Sequence, residues 1–139
     1  MNNNIAVDTK LNQIHHLGSF VIDEQRIYNS YLVKSEGLEI LIDIPPFQVF
    51  SQFIGEISKV VQVNQITHLV IQYISLNIVN SLNELINLGF KGKIITNRYY
   101  GQQMNSLKLP VEIEFVSDLK YKLTAQKQTV LKFIPMVFL

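Results

Sequence analysis

The sequence lacks cysteine altogether and has little charge, since Asp, Glu, Lys and Arg make up only 17% of its 139 residues. Without cysteine there is no disulfide, no thiolate metal site and no cysteine nucleophile. The 12 basic and 11 acidic residues nearly cancel, which leaves no electrostatic footprint for nucleic acid. No apolar run approaches the ~18 residues that span a bilayer, and the polar first four residues do not resemble a secretion signal. We therefore expect a cytoplasmic protein with no nucleic-acid or membrane partner.

Hydrophobic residues are abundant by contrast, at 47% of the chain. A chain of 139 residues is long enough to form one domain with its own core. The hydrophobic share is nevertheless high for a stand-alone domain of this size. It indicates that some apolar surface is buried against something outside the chain.

Hydrophobic periodicity predicts strands at both ends of the chain and alternating helices and strands in the middle. Pro45 and Pro46 end a strand, Asn80 or Ser81 is predicted to cap the second helix, and Gly89 to follow its end. The predicted helices are 47–61, 80–88 and 98–107, and the predicted strands are 13–20, 27–33, 38–44, 66–71, 93–96, 111–116, 119–123 and 129–139. This order favours a mixed α/β fold, with one mixed sheet that carries helices on one face.

The last predicted strand is apolar on both faces, which is typical of a strand covered on both sides. The predicted helices cover one face of the sheet, and no further segment is left to cover the other. The chain also ends in the apolar residues 137–139 without a polar tail. We therefore expect an incomplete domain whose open sheet face is covered by a partner chain or by a second copy in a homo-oligomer.

Several short segments occur together in a fixed order. They are Y-N-S-Y-L-V at 28–33, L-I-D at 41–43, T-H-L-V-I at 67–71, K-I-I-T at 93–96 and L-K-F-I-P at 131–135. In this order the chain resembles the flavodiiron branch of the metallo-β-lactamase superfamily over most of residues 14–139. The resemblance implies that residues 1–139 form a single domain equivalent to the first half of an αββα sandwich. It also implies a second sheet built from residues after Leu139.

The resemblance further implies a ligand run His-x-Glu-x-Asp-His between a strand and a helix. The matching positions hold Tyr73, Ser75, Asn77 and Ile78, and none offers the imidazole or carboxylate that a diiron site requires. A later ligand histidine of the family would fall near the end of this chain and is absent too. We therefore predict no bound metal, no cofactor and no catalytic residue, and leave open whether any small molecule binds.

Other chemically capable residues have ordinary structural explanations. His15 and His16 are neighbours on a predicted strand and point to opposite faces, so they do not readily share one metal ion. His68 lies in an apolar strand, where a hydrogen-bonded structural histidine is more common than a catalytic base. Asp43 ends a strand, and the resemblance implies that an aspartate there bonds to backbone and orders the ligand loop. Asp43 and His68 are thus predicted to support the structure.

Two polar segments carry weaker signals. The aromatic turn at 97–101 could bind an anion at a helix N-terminus, and the resemblance places a partner subunit and a flavin near it. No glycine-rich phosphate loop accompanies this turn, so the start of a surface helix is the favoured interpretation. Glu112 and Glu114 alternate with apolar residues, which predicts the solvent face of an edge strand rather than an acid–base pair. No serine stands in a Gly-x-Ser-x-Gly context.

Three hypotheses follow. The first is a non-catalytic, metal-free module for protein interaction or signal input in a bacterial signalling system, an analogy that rests on fold. The second is an enzyme or sensor, either a metallo-hydrolase or a diiron protein, with an atypical site built from Tyr73, Asn77, His68 and residues of another chain. The third is a truncated remnant that exposes its last strand. The substitutions in the ligand run favour the first and make an enzyme the less expected outcome.

Overall fold

Two β-sheets and three α-helices form the part of the chain that the computed structural model describes, which is residues 3–7, 13–125 and 128–135. The strands are β1 (Asn3–Val7), β2 (Gln13–Asp23), β3 (Arg26–Ser35), β4 (Leu38–Ile42), β5 (His68–Val70), β6 (Lys93–Thr96), β7 (Ile113–Phe115), β8 (Lys122–Ala125) and β9 (Gln128–Pro135). The helices are α1 (Phe50–Ile57), α2 (Leu76–Asn87) and α3 (Arg98–Asn105). None of the described helices is long and apolar enough to cross a membrane.

The larger sheet has six strands in the order β2-β3-β4-β5-β6-β7. Its first three strands run antiparallel, and β4 to β7 run parallel to one another. The predicted mixed α/β sheet is therefore confirmed. Because β4 to β7 are parallel, their carboxyl ends meet at one edge of the sheet, and the loops that follow them converge there.

All three helices pack on one face of this sheet, as predicted. Their buried side chains share a core with sheet residues such as Leu41, Leu69 and Ile94. The apolar stripe of α1 forms part of this core, with Phe53 and Ile57 fully buried. At the end of α2, Gly89 has a φ of 115°, the left-handed conformation that glycine adopts freely after a helix.

The prediction for the start of α2 was wrong by about one and a half turns. Ser75 caps the helix, because the backbone amide of Ile78 donates to its Oγ at 3.4 Å. Ser81, one of the two predicted caps, is instead buried inside the helix and donates to the carbonyl oxygen of Pro45 at 2.7 Å. Asn77 and Ile78, two of the four positions matched to the family's ligand run, therefore lie within α2.

The other face of the large sheet is not left open, which corrects the sequence-based expectation. A second sheet, in the antiparallel order β1-β9-β8, covers it. Leu123, Leu131 and Phe133 of that sheet share a core with Val70 and Ile95 of the large sheet. The second sheet therefore begins within this chain rather than after Leu139, and no partner is needed to cover the buried face of β4 to β6.

Two features of the second sheet were missed. The sequence N-N-I-A-V of β1 is too short and polar at its start to be recognised as a strand. The predicted strand at 119–123 begins only at Lys122, because Lys120 and Tyr121 adopt positive φ angles of 54° and 60° in a turn. The predicted last strand is present as β9, and residues 136–139 of that prediction lie outside the described residues.

Two glycines allow a direct test of the packing at the start of β6 and on the outer side of α1. A methyl group at Gly92 would lie 2.7 Å from the carbonyl oxygen of Ile66 and would overlap that of Thr67, and this backbone cannot yield cheaply. Gly55 lies on the exposed side of α1, and no atom lies within 4 Å of the place that a methyl group there would occupy. We expect Gly92→Ala to lower the free energy of unfolding by about 2–3 kcal/mol, and Gly55→Ala to raise it by about 0.5–1 kcal/mol. Urea denaturation measures both, and similar effects at the two sites would contradict the packing described.

Candidate functional site

A cleft opens where β4 ends and β3 continues. Tyr31 pairs with Ile42 at the end of the β3–β4 ladder, and residues 27–30 of β3 extend beyond it. The cleft has a volume of about 390 Å³ and lies at the carboxyl edge of the parallel strands. Its lining residues are Ile27, Tyr28, Asn29, Tyr31, Asp43, Ile44, Gln72, Tyr73 and Ile78. Tyr73 and Ile78, the first and last of the four positions matched to the family's ligand run, both line this cleft.

Asp43 is held firmly at the base of this cleft. Its φ of 62° is left-handed, a conformation that aspartate and asparagine tolerate better than most residues. Its amide donates to the carbonyl oxygen of Val70 at 2.8 Å, and Ser30 Oγ donates to its carbonyl oxygen at 2.6 Å. These bonds tie the end of β4 to both neighbouring strands.

The carboxylate of Asp43 organises the loop that follows β5. Gln72 donates its backbone amide to Oδ1 at 3.0 Å and its side-chain Nε2 to Oδ2 at 2.6 Å. Burial raises the pKa of Asp43 above its ordinary value, and the two bonds from Gln72 oppose that rise. Through these two bonds the carboxylate is fixed to the loop after β5, and its partner Gln72 was not singled out in the sequence.

The four positions of the ligand run serve other purposes in this chain. Tyr73 is 52% exposed and packs edge-to-face on Tyr100, with ring centroids 5.9 Å apart. Ser75 caps α2, Asn77 lies exposed in the first turn of that helix, and Ile78 is 3% exposed in the helix-side core. Two of the four side chains are therefore used by the fold itself.

These side chains do not fit a diiron centre. Iron sites of this type need neutral imidazole and carboxylate ligands, whereas here the positions offer a phenol, a hydroxyl, an amide and an alkyl group. Within residues 3–7, 13–125 and 128–135, no three His, Asp or Glu side chains come close enough together to hold a metal ion. The donor set of the described loop therefore disagrees with the metal that the fold family implies.

His68 lies at the opposite end of β5 from the cleft. Its Nδ1 is 2.9 Å from Thr67 Oγ1, and burial lowers the pKa of its imidazole. Tyr73 lies beyond the other end of this strand, three residues after Val70. The atypical site of the second hypothesis, which combined His68 with Tyr73 and Asn77, is consequently not assembled within this chain.

His15 and His16 do not form a joint site either. His15 pairs with Leu32 in the β2–β3 ladder and His16 with Tyr31, so the two imidazoles point to opposite faces of the sheet. Nε2 of His16 lies 3.2 Å from Oδ1 of Asn29, and its ring is tilted over Tyr31 at 5.0 Å.

The remaining polar segments are also used structurally. In the turn at 97–101, Asn97 caps α3 by accepting a hydrogen bond from the amide of Tyr100 at 2.9 Å. Arg98 is paired with Asp118 at 2.8 Å and lies over the ring of Phe115 at 4.5 Å. This arrangement fits the surface helix start that was favoured.

Strand β7 forms an edge of the large sheet, as predicted for the strand that carries Glu112 and Glu114. Both carboxylates pair with Lys93 of the neighbouring strand, at 3.8 Å for Glu112 and 3.0 Å for Glu114. They therefore link β7 to β6 at the end of the sheet opposite the cleft.

Known proteins that resemble this chain were found at the level of both sequence family and solved structure. A family model described as "ODP family beta lactamase" matches residues 27–139. A mutant flavodiiron protein of Thermotoga maritima is 26% identical with a TM-score of 0.57, over 65% of this chain and 23% of that one. A metal-soaked flavodiiron core from Synechocystis is 16% identical with a TM-score of 0.64, over 82% of this chain and 31% of that one. No curated protein matches the sequence significantly.

A third solved structure, described as a peroxy diiron species of a chemotaxis sensor, is 15% identical with a TM-score of 0.53. It is matched over 75% of this chain and 42% of its own length. The chain therefore spans between 23% and 42% of the length of the solved relatives named here. These likenesses confirm the flavodiiron-type metallo-β-lactamase fold that the short segments predicted.

Proposed function

This chain belongs to the ODP family of beta-lactamases, and we propose that it is a non-catalytic, metal-free member that serves protein interaction or signal input. One observation carries the proposal, which is that Ser75 and Ile78 stand where ligands would be and serve the fold as helix cap and core residue. With no imidazole or carboxylate in the ligand run, the loop has no means to activate water or oxygen through a metal. On this proposal the protein acts by binding a partner or a signal and not by catalysing a reaction.

A bacterial signalling system is the context that we propose. The support is a fold-level likeness, at 15% identity, to the protein described as a chemotaxis sensor. The interaction is proposed to involve a second copy or a partner chain. An apolar groove of about 520 Å³ lies on the helix side of the molecule, lined by Phe47, Phe50, Ile54 and Leu88 among others, and gives such an interaction apolar surface to bury. The cytoplasmic location stays a prediction.

Molar mass by light scattering, with metal analysis on the same chromatographic peak, tests this proposal. We expect a metal-free species of twice the 16.0 kDa chain mass after growth in iron- and zinc-supplemented medium. A metal-free monomer would contradict self-association and direct the search to a partner chain. A peak that carries about one or more metal ions per chain would contradict the proposal as a whole.

The second candidate is an enzyme or diiron sensor with an atypical site. The observation that favours it is the buried Asp43 carboxylate in the same cleft as Tyr73, since carboxylate and phenolate are both possible iron ligands. This candidate predicts stoichiometric metal on the same peak, together with a loss of metal in Asp43→Asn. The proposed metal-free module predicts that Asp43→Asn leaves the metal content unchanged, near zero.

A further inference from the structure

We propose that the cleft between β3 and the β5–α2 loop binds a small organic cation of the methylated ammonium type. The proposal rests on the proposed absence of metal from this loop, and it names the kind of signal that the module would receive. The juxtaposition that carries it is one buried carboxylate, Asp43, in a cleft that is also lined by Tyr28, Tyr31 and Tyr73.

The charge of the cleft points to a cation. Asp43 is the one acid among the nine lining residues, and no lysine, arginine or histidine is among them. Its two hydrogen-bond donors both belong to Gln72, and both are neutral amides. Arg26, next in sequence to a lining residue, is already paired with Asp23 at 2.8 Å. A cation in the cleft would therefore supply the opposite charge that none of the nine lining residues provides.

The aromatic lining points to an alkylated cation rather than a bare ammonium or a metal ion. Tyrosine rings attract cations through their negative faces, and aromatic cages with a carboxylate are the usual site for quaternary ammonium groups. Tyr73 is 52% exposed, and Tyr31 is 38% exposed with its ring 5.0 Å from that of His16. Tyr100 supports the ring of Tyr73 from the α3 side at 5.9 Å. Tyr73 occupies the first position matched to the family's ligand run. The same residue lines the proposed cation site.

The size of the cleft limits the ligand. Its volume of about 390 Å³ lies at the small end of the range of ligand pockets. A choline-sized molecule fits such a space. Asn29 and Gln72 add side-chain amides to the lining, of which Asn29 Oδ1 already accepts from Ser19 Oγ at 2.6 Å and Gln72 Nε2 donates to Asp43.

The test compares choline with 3,3-dimethylbutan-1-ol, the neutral molecule in which a carbon replaces the ammonium nitrogen. The intact chain is titrated with each compound and followed by NMR chemical shifts or calorimetry. We expect choline to bind at least about tenfold more tightly, which corresponds to about 1.4 kcal/mol. Tyr73→Leu should lose about tenfold in choline affinity and Tyr73→Phe about twofold at most, because the phenylalanine ring keeps the aromatic face. Asp43→Asn should also lose about tenfold, because it removes the charge and keeps the shape.

The outcomes separate this inference from the proposed function. Equal affinity for the two compounds, or no choline binding below about 10 mM, overturns the inference and leaves a metal-free module in place. Equal losses in Tyr73→Leu and Tyr73→Phe also overturn it. A metal-loaded protein on elemental analysis of the same sample overturns both. Sedimentation with phosphatidylcholine vesicles that free choline reverses would keep the site and assign its cation to a lipid headgroup.

Discussion

Ile78→His is expected to lower the free energy of unfolding by about 2–4 kcal/mol, although histidine is the residue that the resembled ligand run carries there. Ile78 is 3% exposed and packs in the core between α2 and the large sheet. An imidazole in that position loses apolar contacts and leaves polar nitrogens in an apolar setting. Adding iron or zinc should not restore the lost stability, because the neighbouring positions supply no further ligand. Urea denaturation with and without metal measures the effect.

Asn77→Asp is the matched control, because it introduces another residue of the same ligand run at the adjacent position. Asn77 is exposed in the first turn of α2, where a carboxylate interacts favourably with the helix dipole. We expect its effect on stability to lie between zero and a gain of about 0.5–1 kcal/mol. If Ile78→His were neutral, or if metal raised its stability, the core role of Ile78 would be refuted and the ligand site would have to be reconsidered.

Asp43→Ala is expected to lower the free energy of unfolding by about 2–4 kcal/mol, whereas Asp43→Asn should not destabilise the protein. Alanine removes the acceptor of both Gln72 donors and is poorly tolerated at a φ of 62°. Asparagine tolerates that backbone conformation and keeps an oxygen for the amide of Gln72, whose side chain can rotate to accept from the new NH₂ group. Thermal or urea denaturation of the two variants separates the carboxylate's bonding role from its charge.

The pH dependence of Asp43 has a definite sign. Burial raises the pKa of its carboxyl in the folded protein above the ordinary value of 3.8. The folded state therefore holds this proton more tightly than the unfolded state, so the stability it contributes is complete below about pH 3.8 and is lost as the pH rises through the folded pKa. Asp43→Asn has no carboxyl to titrate. Its free energy of unfolding should therefore rise relative to that of the parent as the pH increases from about 3.8 through the folded pKa of Asp43. A constant difference between the two proteins across the interval would contradict the raised pKa.

Much of the large sheet could be predicted because its signals are local. The run of residues 93–96 is short, apolar and bounded by Gly92 and Asn97, and it appears as β6 with the same bounds. The stripe of Phe50, Phe53 and Ile57 has helical spacing, which predicts α1 without knowledge of its partners. The family resemblance rested on the order of such segments along the chain, and the strands and helices of the structure follow that order.

Features that depend on distant partners could not be read in the same way. The polar start of β1 gives no local strand signal, and its place beside β9 depends on pairing across more than 120 residues. Ser81 has the side chain of a helix cap, but the carbonyl of Pro45 holds it inside α2. In the cleft, Gln72 acquires its importance only through Asp43, 29 positions earlier. Tyr28 and Tyr31 were recognised as part of a family strand, and only the early end of β4 makes them walls of a cleft.

Binding of ferrous iron under anaerobic conditions tests the central claim most directly. The purified chain is dialysed to equilibrium against Fe²⁺, and the iron bound per chain is measured, with a flavodiiron protein treated in parallel as the positive control. The substituted ligand run predicts fewer than about 0.1 iron ions per chain, while the control retains its iron. Uptake of about two iron ions per chain, resistant to washing and reduced in Asp43→Asn, would contradict the account and restore a diiron sensor or enzyme as the function.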